Sequence, residues 1–389
     1  MEVLFITHKY PPIIGGMEKQ SFELTTRMSK KHTVHLHAYK GEGSKLMWFL
    51  SLKKEIKRIL QQHPTIDIIH VNDGLMAAAT LWLKSYTKIP VVATYHGLDI
   101  TFPASIFQKR IIPKMTKLDM GICVSTATAN QCIQRGFEPN KIAVAANGVD
   151  HDLAEIKTDL SFQKAFEEKY NLKLADKKIM MTMGRAVKRK GFSWFLNQVM
   201  PKLDNDFIFI MAGPLSTKRS FGEKIIDLFP SSIKDKIHLL FGIPTDVNNI
   251  VKILSKNTFN NRVIHVGKVP FNDLMQYLSL ADVFVMPNIE VDGDAEGFGL
   301  VALEASLRNN PVVASGIEGI TEAVHDQGNG ILLPSKNAEI WIEKLQEIFR
   351  DKQQLKEFGE QSKNYTLDHF GWDQMVEDYE EIFTQVIAK

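Results

Sequence analysis

The chain has 389 residues, 44% hydrophobic and 24% charged, with a formal net charge of +2. That length supports two domains with separate cores, and the near-neutral balance gives no general electrostatic case for nucleic acid. Cys123 and Cys132 make neither a metal-ligand spacing nor a disulfide framework, so a reducing compartment is the simpler expectation. No apolar run reaches the roughly 18 residues that span a bilayer. Met1-Glu2-Val3-Leu4-Phe5-Ile6 enters a strand without the basic flank of a signal peptide. A cytoplasmic protein is expected, with peripheral contact at the inner face of the cell membrane left open.

In chain order, Val3–Thr7 reads as a first strand, from its β-branched and aromatic residues. A loop follows, stiffened by Pro11-Pro12 and freed at its far end by Gly15-Gly16, and Met17–Met28 reads as a helix. Strand, glycine loop and helix give the dinucleotide-binding outline, but the three-glycine fingerprint is absent. The segment Lys40–Leu60 carries six cations against two carboxylates and the apolar run Leu46-Met47-Trp48-Phe49-Leu50. It suits either reversible contact with an anionic membrane surface or a helix packed on its own sheet.

Strands are expected at Ile66–Val71, Ile89–Thr94, Met120–Val124 and Ile142–Val144. Ile89–Thr94 is followed by Tyr95-His96-Gly97-Leu98-Asp99. His96 lies after the run rather than inside it, where either ring nitrogen can face a ligand. A structural histidine is the alternative. Ser125 reads as a helix N-cap rather than a nucleophile, since no Gly-x-Ser-x-Gly elbow is present.

The second half opens with a strand at Ile179–Met183. Gly184-Arg185-Ala186-Val187-Lys188-Arg189-Lys190-Gly191 follows, then a helix from Phe192. Four cations at a strand end suit a diphosphate, and no Walker-A pattern competes. Further strands are expected at Phe207–Ala212, Ile237–Phe241, Val263–Val266, Val283–Met286, Val312–Ser315 and Ile331–Leu333. A last helix, Trp372–Val386, carries an apolar stripe.

After Val283–Met286 comes Asp292-Gly293-Asp294-Ala295-Glu296-Gly297-Phe298-Gly299-Leu300, and the helix expected over Leu300–Leu307 contains Glu304. Seven residues separate Glu296 from Glu304, a rise of about 12 Å if helical throughout. Such a pair is a poor metal clamp. It suits the two ends of an extended ligand, such as the hexose and ribose hydroxyls of a nucleotide sugar. Backbone N–H groups at the helix start suit the phosphates between them. A solvent-facing Glu296 and a helix-surface Glu304 are the alternative.

The Glu-x7-Glu spacing resembles the motif of retaining glycosyltransferases of the GT4-type family, the group 1 glycosyltransferases. The resemblance extends over nearly the whole chain, through Gly15-Gly16, Tyr95–Asp99 and Gly184-Arg185 with Lys190-Gly191. It implies an α/β chain of the GT-B class: two Rossmann-like parallel-sheet domains facing a cleft, with a C-terminal helix crossing back to the first. The domains are placed at 1–160 on the acceptor side and 161–370 on the nucleotide-sugar side, with 371–389 as the returning helix. By the same resemblance the catalytic residues are His96, Arg185, Lys190 and Glu296. The donor is held by Gly15, Gly16, Arg185, Lys190, Gly297, Phe298, Gly299, Leu300 and Glu304.

The resemblance implies transfer of a hexose from a UDP- or GDP-sugar to a hydroxyl acceptor, with a lipid-linked glycan or glycolipid among the candidates. The polar stretch Asn288–Ala295 resembles that of some mannosyltransferases, which points toward GDP-mannose. No cofactor or metal requirement is expected, because Arg185 and Lys190 can take a metal's electrostatic role. The partners expected are the donor, the acceptor and an anionic membrane, and no nucleic acid. A non-catalytic sugar-nucleotide binder and a sugar-nucleotide epimerase are the alternatives. The second lacks its Gly-x-x-Gly-x-x-Gly loop after Thr7.

Overall fold

The computed structural model describes residues 1–216, 234, 237–239, 243–256, 259 and 261–389. Two compact units divide it. One comprises Met1–Gly148, Glu296–Phe298 and Phe370–Lys389; the other comprises Val149–Ala295 and Gly299–His369.

The first unit is built on β1 (Glu2–Thr7), β2 (Thr33–Ala38), β3 (Ile68–Val71), β4 (Val91–Tyr95), β5 (Met120–Cys123) and β6 (Ile142–Val144), in the order β2-β1-β3-β4-β5-β6. Every pairing is parallel. Crossovers cover both faces of such a sheet, so its central strands are buried throughout rather than on alternate residues. β3, β4 and β5 are buried at every residue. Leu52 and Ile56 of the helix Lys45–Gln62 join Leu4, Ile6, Ile69, Val71 and Val91 in the core.

That helix divides the apolar run residue by residue. Trp48 stacks on His37 with ring centroids 5.2 Å apart, and Phe49 lies 5.6 Å from the His8 ring. Leu46, Met47 and Leu50 point outward and are 68%, 62% and 69% exposed. No helix among the described residues is long and apolar enough to cross a membrane.

The second unit is built on β7 (Lys178–Met183), β8 (Phe207–Ala212), β9 (Val263–Gly267), β10 (Val283–Met286), β11 (Val312–Ser315) and β12 (Gly330–Leu333), ordered β12-β11-β10-β7-β8-β9 and again all parallel. Phe195, Phe209, Val283, Val313 and Trp341 lie in its core. Arg308 braces the segment entering this unit by donating to the backbone carbonyls of Leu153 and Ile156.

The C-terminal helix Trp372–Ile387 buries Trp372, Met375, Val376, Tyr379, Ile382, Phe383 and Val386, a stripe at three- and four-residue steps. It packs on the helix Gly16–Met28 of the first unit. Arg27 meets Asp373 at 2.7 Å at its start. Gln20 Nε2 donates to the Tyr379 hydroxyl at 3.2 Å farther along.

Two elements depart from the sequence pattern. β2 gives little signal, because His35 and His37 stand where an apolar alternation would be sought, and the edge strand is only half-buried. Residues 237–239 are helical, not the expected strand; Leu240 and Phe241, which complete that expectation, lie outside the described residues.

Candidate active site

The second sheet reverses its strand order between β7 and β10. The chain leaves β7 for β8 and β9 on one side, then returns to β10, β11 and β12 on the other. The crevice outside the carboxyl ends at such a reversal is where open α/β sheets bind ligands. The segment after β7 is Gly184–Gly191, with a short helical turn at Lys188–Lys190; the segment after β10 begins at Pro287.

These two segments are locked together. Gly191 has φ +67°, and a Cβ there would lie 1.8 Å from the Pro287 carbonyl oxygen, so only glycine fits. Ile289 N–H donates to the Arg189 carbonyl at 2.8 Å. Arg189 Nε lies 3.5 Å from Asp294 Oδ1, with both side chains largely buried. Arg189 is therefore inward-facing, apart from Lys188, which is exposed. Of the remaining cations, Lys190 is 9% exposed, while Arg185 and Lys188 are exposed. Gly299, φ +103°, starts the helix Leu300–Ser306, on which Glu304 is half-buried.

The first sheet reverses between β1 and β3. Gly15 precedes and Gly16 opens the helix after β1, and the buried Glu18 carboxylate in its first turn lies 3.4 Å from Lys9 Nζ. At the ends of β1 and β3, His8 Nδ1 lies 2.9 Å from Asp73 Oδ2, with both residues buried. Burial alone would raise the Asp73 carboxyl. The His8 ring and the hydrogen bond from Met76 N–H overcome that and hold it below its ordinary value. Neither His8 nor Asp73 stands out in the sequence, because the pair forms only when β1 and β3 lie side by side.

His96 follows β4, the neighbour of β3. Its Nε2 lies 3.2 Å from the Asn72 carbonyl, and its N–H donates to Asp99 Oδ1 at 2.8 Å. Asp99 also accepts from Gly74 N–H at 2.8 Å, so its carboxylate steadies the two loops after β3 and β4. Burial raises the Asp99 carboxyl and His96 partly opposes it. His70, by contrast, lies within β3; burial and then the charge on His96 push it down to about 3, so it is a neutral core residue. Glu296–Phe298 pack with this unit: Gly297 abuts the His96 carbonyl, and buried Phe298 meets Phe370 edge-on at 6.3 Å.

The expected site residues thus fall into two groups. Arg185, Lys190, Gly299, Leu300 and Glu304 belong to the second unit at the β7 and β10 ends. Gly15, Gly16, His96, Glu296, Gly297 and Phe298 belong to the first.

Residues 163–365 match the family of glycosyl transferases group 1, and residues 14–153 match glycosyltransferase family 4. The chain belongs to the group 1 glycosyltransferases. It is therefore an enzyme that transfers a sugar from a nucleotide-sugar donor. An uncharacterised glycosyltransferase of Methanocaldococcus jannaschii is 24% identical over 97% of both chains. A D-inositol 3-phosphate glycosyltransferase of an Arthrobacter species is 26% identical over 83% of this chain and 72% of its own. Among solved structures, a Rickettsia africae glycosyltransferase aligns with a TM-score of 0.77 at 19% identity, over 99% of both chains. Anabaena HepE in complex with UDP aligns at 0.75 and 17%, over 99% of this chain and 100% of its own. The fold of this group 1 glycosyltransferase is the GT-B class of two Rossmann-like parallel-sheet domains.

The contact at Gly297 is testable without substrate. A Cβ there would lie 1.9 Å from the His96 carbonyl oxygen, whereas one at the exposed Gly316 would meet nothing closer than 3.4 Å. Gly297→Ala is expected to lower stability by about 1–3 kcal/mol, and Gly316→Ala to stay within about 0.5 kcal/mol, read by urea unfolding. Equal midpoints for the two variants contradict the close approach.

Proposed function

We propose that this glycosyltransferase is a retaining hexosyltransferase using a UDP-hexose and a hydroxyl acceptor. The observation that carries the reading is the β7–β10 reversal, where buried Lys190 and exposed Arg185 stand on one interlocked loop. UDP is favoured over GDP because Anabaena HepE was crystallised with UDP and with UDP-glucose. Asn288–Ala295 remains the one feature favouring GDP-mannose, and the donor panel below separates the two.

In this reading Arg185 and Lys190 hold the diphosphate and stabilise the charge that grows as it departs. Glu304 accepts from the ribose hydroxyls, and Glu296 accepts from hydroxyls of the hexose. His96 lines the region of the transferred sugar, and Gly15-Gly16 with Gly297–Leu300 shape the donor loops. The acceptor oxygen bonds to the anomeric carbon on the face from which the phosphate oxygen leaves. The departing diphosphate takes the acceptor's proton, and configuration is retained. The products are the glycosylated acceptor and a nucleoside diphosphate.

A panel of UDP-glucose, UDP-galactose, UDP-N-acetylglucosamine and GDP-mannose, followed by product mass, tests the donor. Arg185→Ala is expected to lower kcat more than donor affinity, since its charge acts most in the transition state. Glu304→Gln is expected to weaken donor binding about ten- to a hundredfold, from the loss of charge-assisted hydrogen bonds worth roughly 1.5–3 kcal/mol. Calorimetry showing unchanged affinity in Glu304→Gln removes the ribose role. Turnover of none of the three UDP-sugars overturns the donor assignment.

A second reading concerns the acceptor. Leu46, Met47 and Leu50 are exposed at one end of the helix Lys45–Gln62, and Lys53, Lys54 and Arg58 are exposed along it. This arrangement supports reversible docking on an anionic membrane at the cytoplasmic face and a lipid-linked acceptor. Replacing Leu46, Met47 and Leu50 with Ser, or Lys53, Lys54, Lys57 and Arg58 with Gln, should abolish co-sedimentation with anionic liposomes. Transfer to a water-soluble acceptor mimic should persist. Wild-type protein that stays in the supernatant at low salt overturns the docking.

A further inference from the structure

Away from the β7–β10 loops, Glu2, His35 and His63 converge on one face of the first sheet. The register pairs Leu4 with His35, so Glu2 and His35, two residues and one strand apart, share that face. The helix Lys45–Gln62 packs on the same face and delivers His63 immediately after its last turn. His35 Nε2 lies 2.7 Å from Glu2 Oε1, and the His35 and His63 ring centroids are 3.9 Å apart. One ligand atom from each of the three residues lies within 4.8 Å of the other two.

We propose that Glu2, His35 and His63 form a divalent transition-metal site, with zinc the best match. Two imidazole nitrogens and a carboxylate oxygen suit zinc better than calcium or magnesium, which prefer all-oxygen shells. Four-coordinate zinc with bonds of about 2.0–2.1 Å spaces its ligands roughly 3.3 Å apart. Separations of at most 4.8 Å reach that spacing by side-chain adjustments of up to about 1.5 Å. The metal replaces the proton now shared between His35 and Glu2. Water fills the fourth position.

The surroundings support a built site. Thr65 Oγ1 donates to the second Glu2 oxygen at 2.6 Å, orienting the carboxylate as outer-shell partners of metal ligands do. His35 and Glu2 side chains are each 19% exposed, which leaves a path for the ion. Bound metal would tie β1, β2 and the end of the helix Lys45–Gln62 together. Its role is to fix that helix rather than to take part in transfer.

The test uses untagged, metal-stripped full-length protein. Zinc titrated by calorimetry is expected to bind one equivalent in the micromolar range or tighter. Cobalt is expected to give the visible bands of a four-coordinate ion, and zinc to raise the melting temperature. His63→Gln should weaken zinc binding by at least about tenfold, and Thr65→Val by about tenfold through the misdirected carboxylate. His369→Gln, in the second unit, should bind as wild type does. If His63→Gln does not fold, Glu2→Gln serves in its place. No saturable zinc binding, or equal binding by wild type and the ligand variants, overturns the site.

Discussion

A single reversal of strand order in a parallel sheet governs what the second unit can do. Because β10 returns beside β7, the loops that follow them must share the same sheet edge. Their contact is too close for any side chain at Gly191, whose φ of +67° also suits glycine. Lys190 is the residue before that glycine. Its backbone is therefore fixed by the interlock rather than by the loop's own preference. The Ile289–Arg189 backbone bond and the Arg189–Asp294 pair add two further ties. A cation positioned this way loses little freedom when it meets an anion, the condition for electrostatic stabilisation of a leaving phosphate.

The first unit reaches similar order through buried polar groups. Asn72 Nδ2 donates to Gln20 at 2.8 Å, Gln20 donates to Tyr379, and the Tyr379 hydroxyl meets Thr94 at 2.8 Å. His70 closes the chain of contacts against Thr94, also at 2.8 Å. Together these bonds fasten the helix Gly16–Met28, β3, β4 and the C-terminal helix. Each member is buried, so breaking one bond leaves a desolvated partner behind. The Asn72 carbonyl also lies against His96 Nε2, so the network reaches the strand-end loop that carries the candidate catalytic histidine.

Much of this was readable in the chain. The runs Val283–Met286 and Val312–Ala314 are wholly apolar because both sheet faces are covered, and that property is local in sequence. The helix Trp372–Ile387 shows a stripe instead, because only one of its faces is buried, and that pattern too is local in sequence. The Glu296–Glu304 spacing and the cations after Met183 were visible as motifs. What stayed hidden depends on neighbours distant in sequence. Arg189 looks like its flanking cations until Asp294 is brought beside it. His8 and Asp73 are unremarkable residues until β1 and β3 pair. Trp48 and Phe49 sit in one apolar run with Leu46, Met47 and Leu50. Helical geometry turns the aromatic pair inward and the other three outward, a division that a contiguous run conceals.

The proposed function places the donor's diphosphate at the carboxyl ends of β7 and β10. Hydrogen exchange of the full-length enzyme with and without saturating UDP tests it most directly. Exchange is expected to slow in residues 184–192 and 299–306 on UDP binding, and that protection is expected to be lost in Lys190→Ala. Protection confined to residues 8–16 and 72–74, at the reversal of the first sheet, would contradict it.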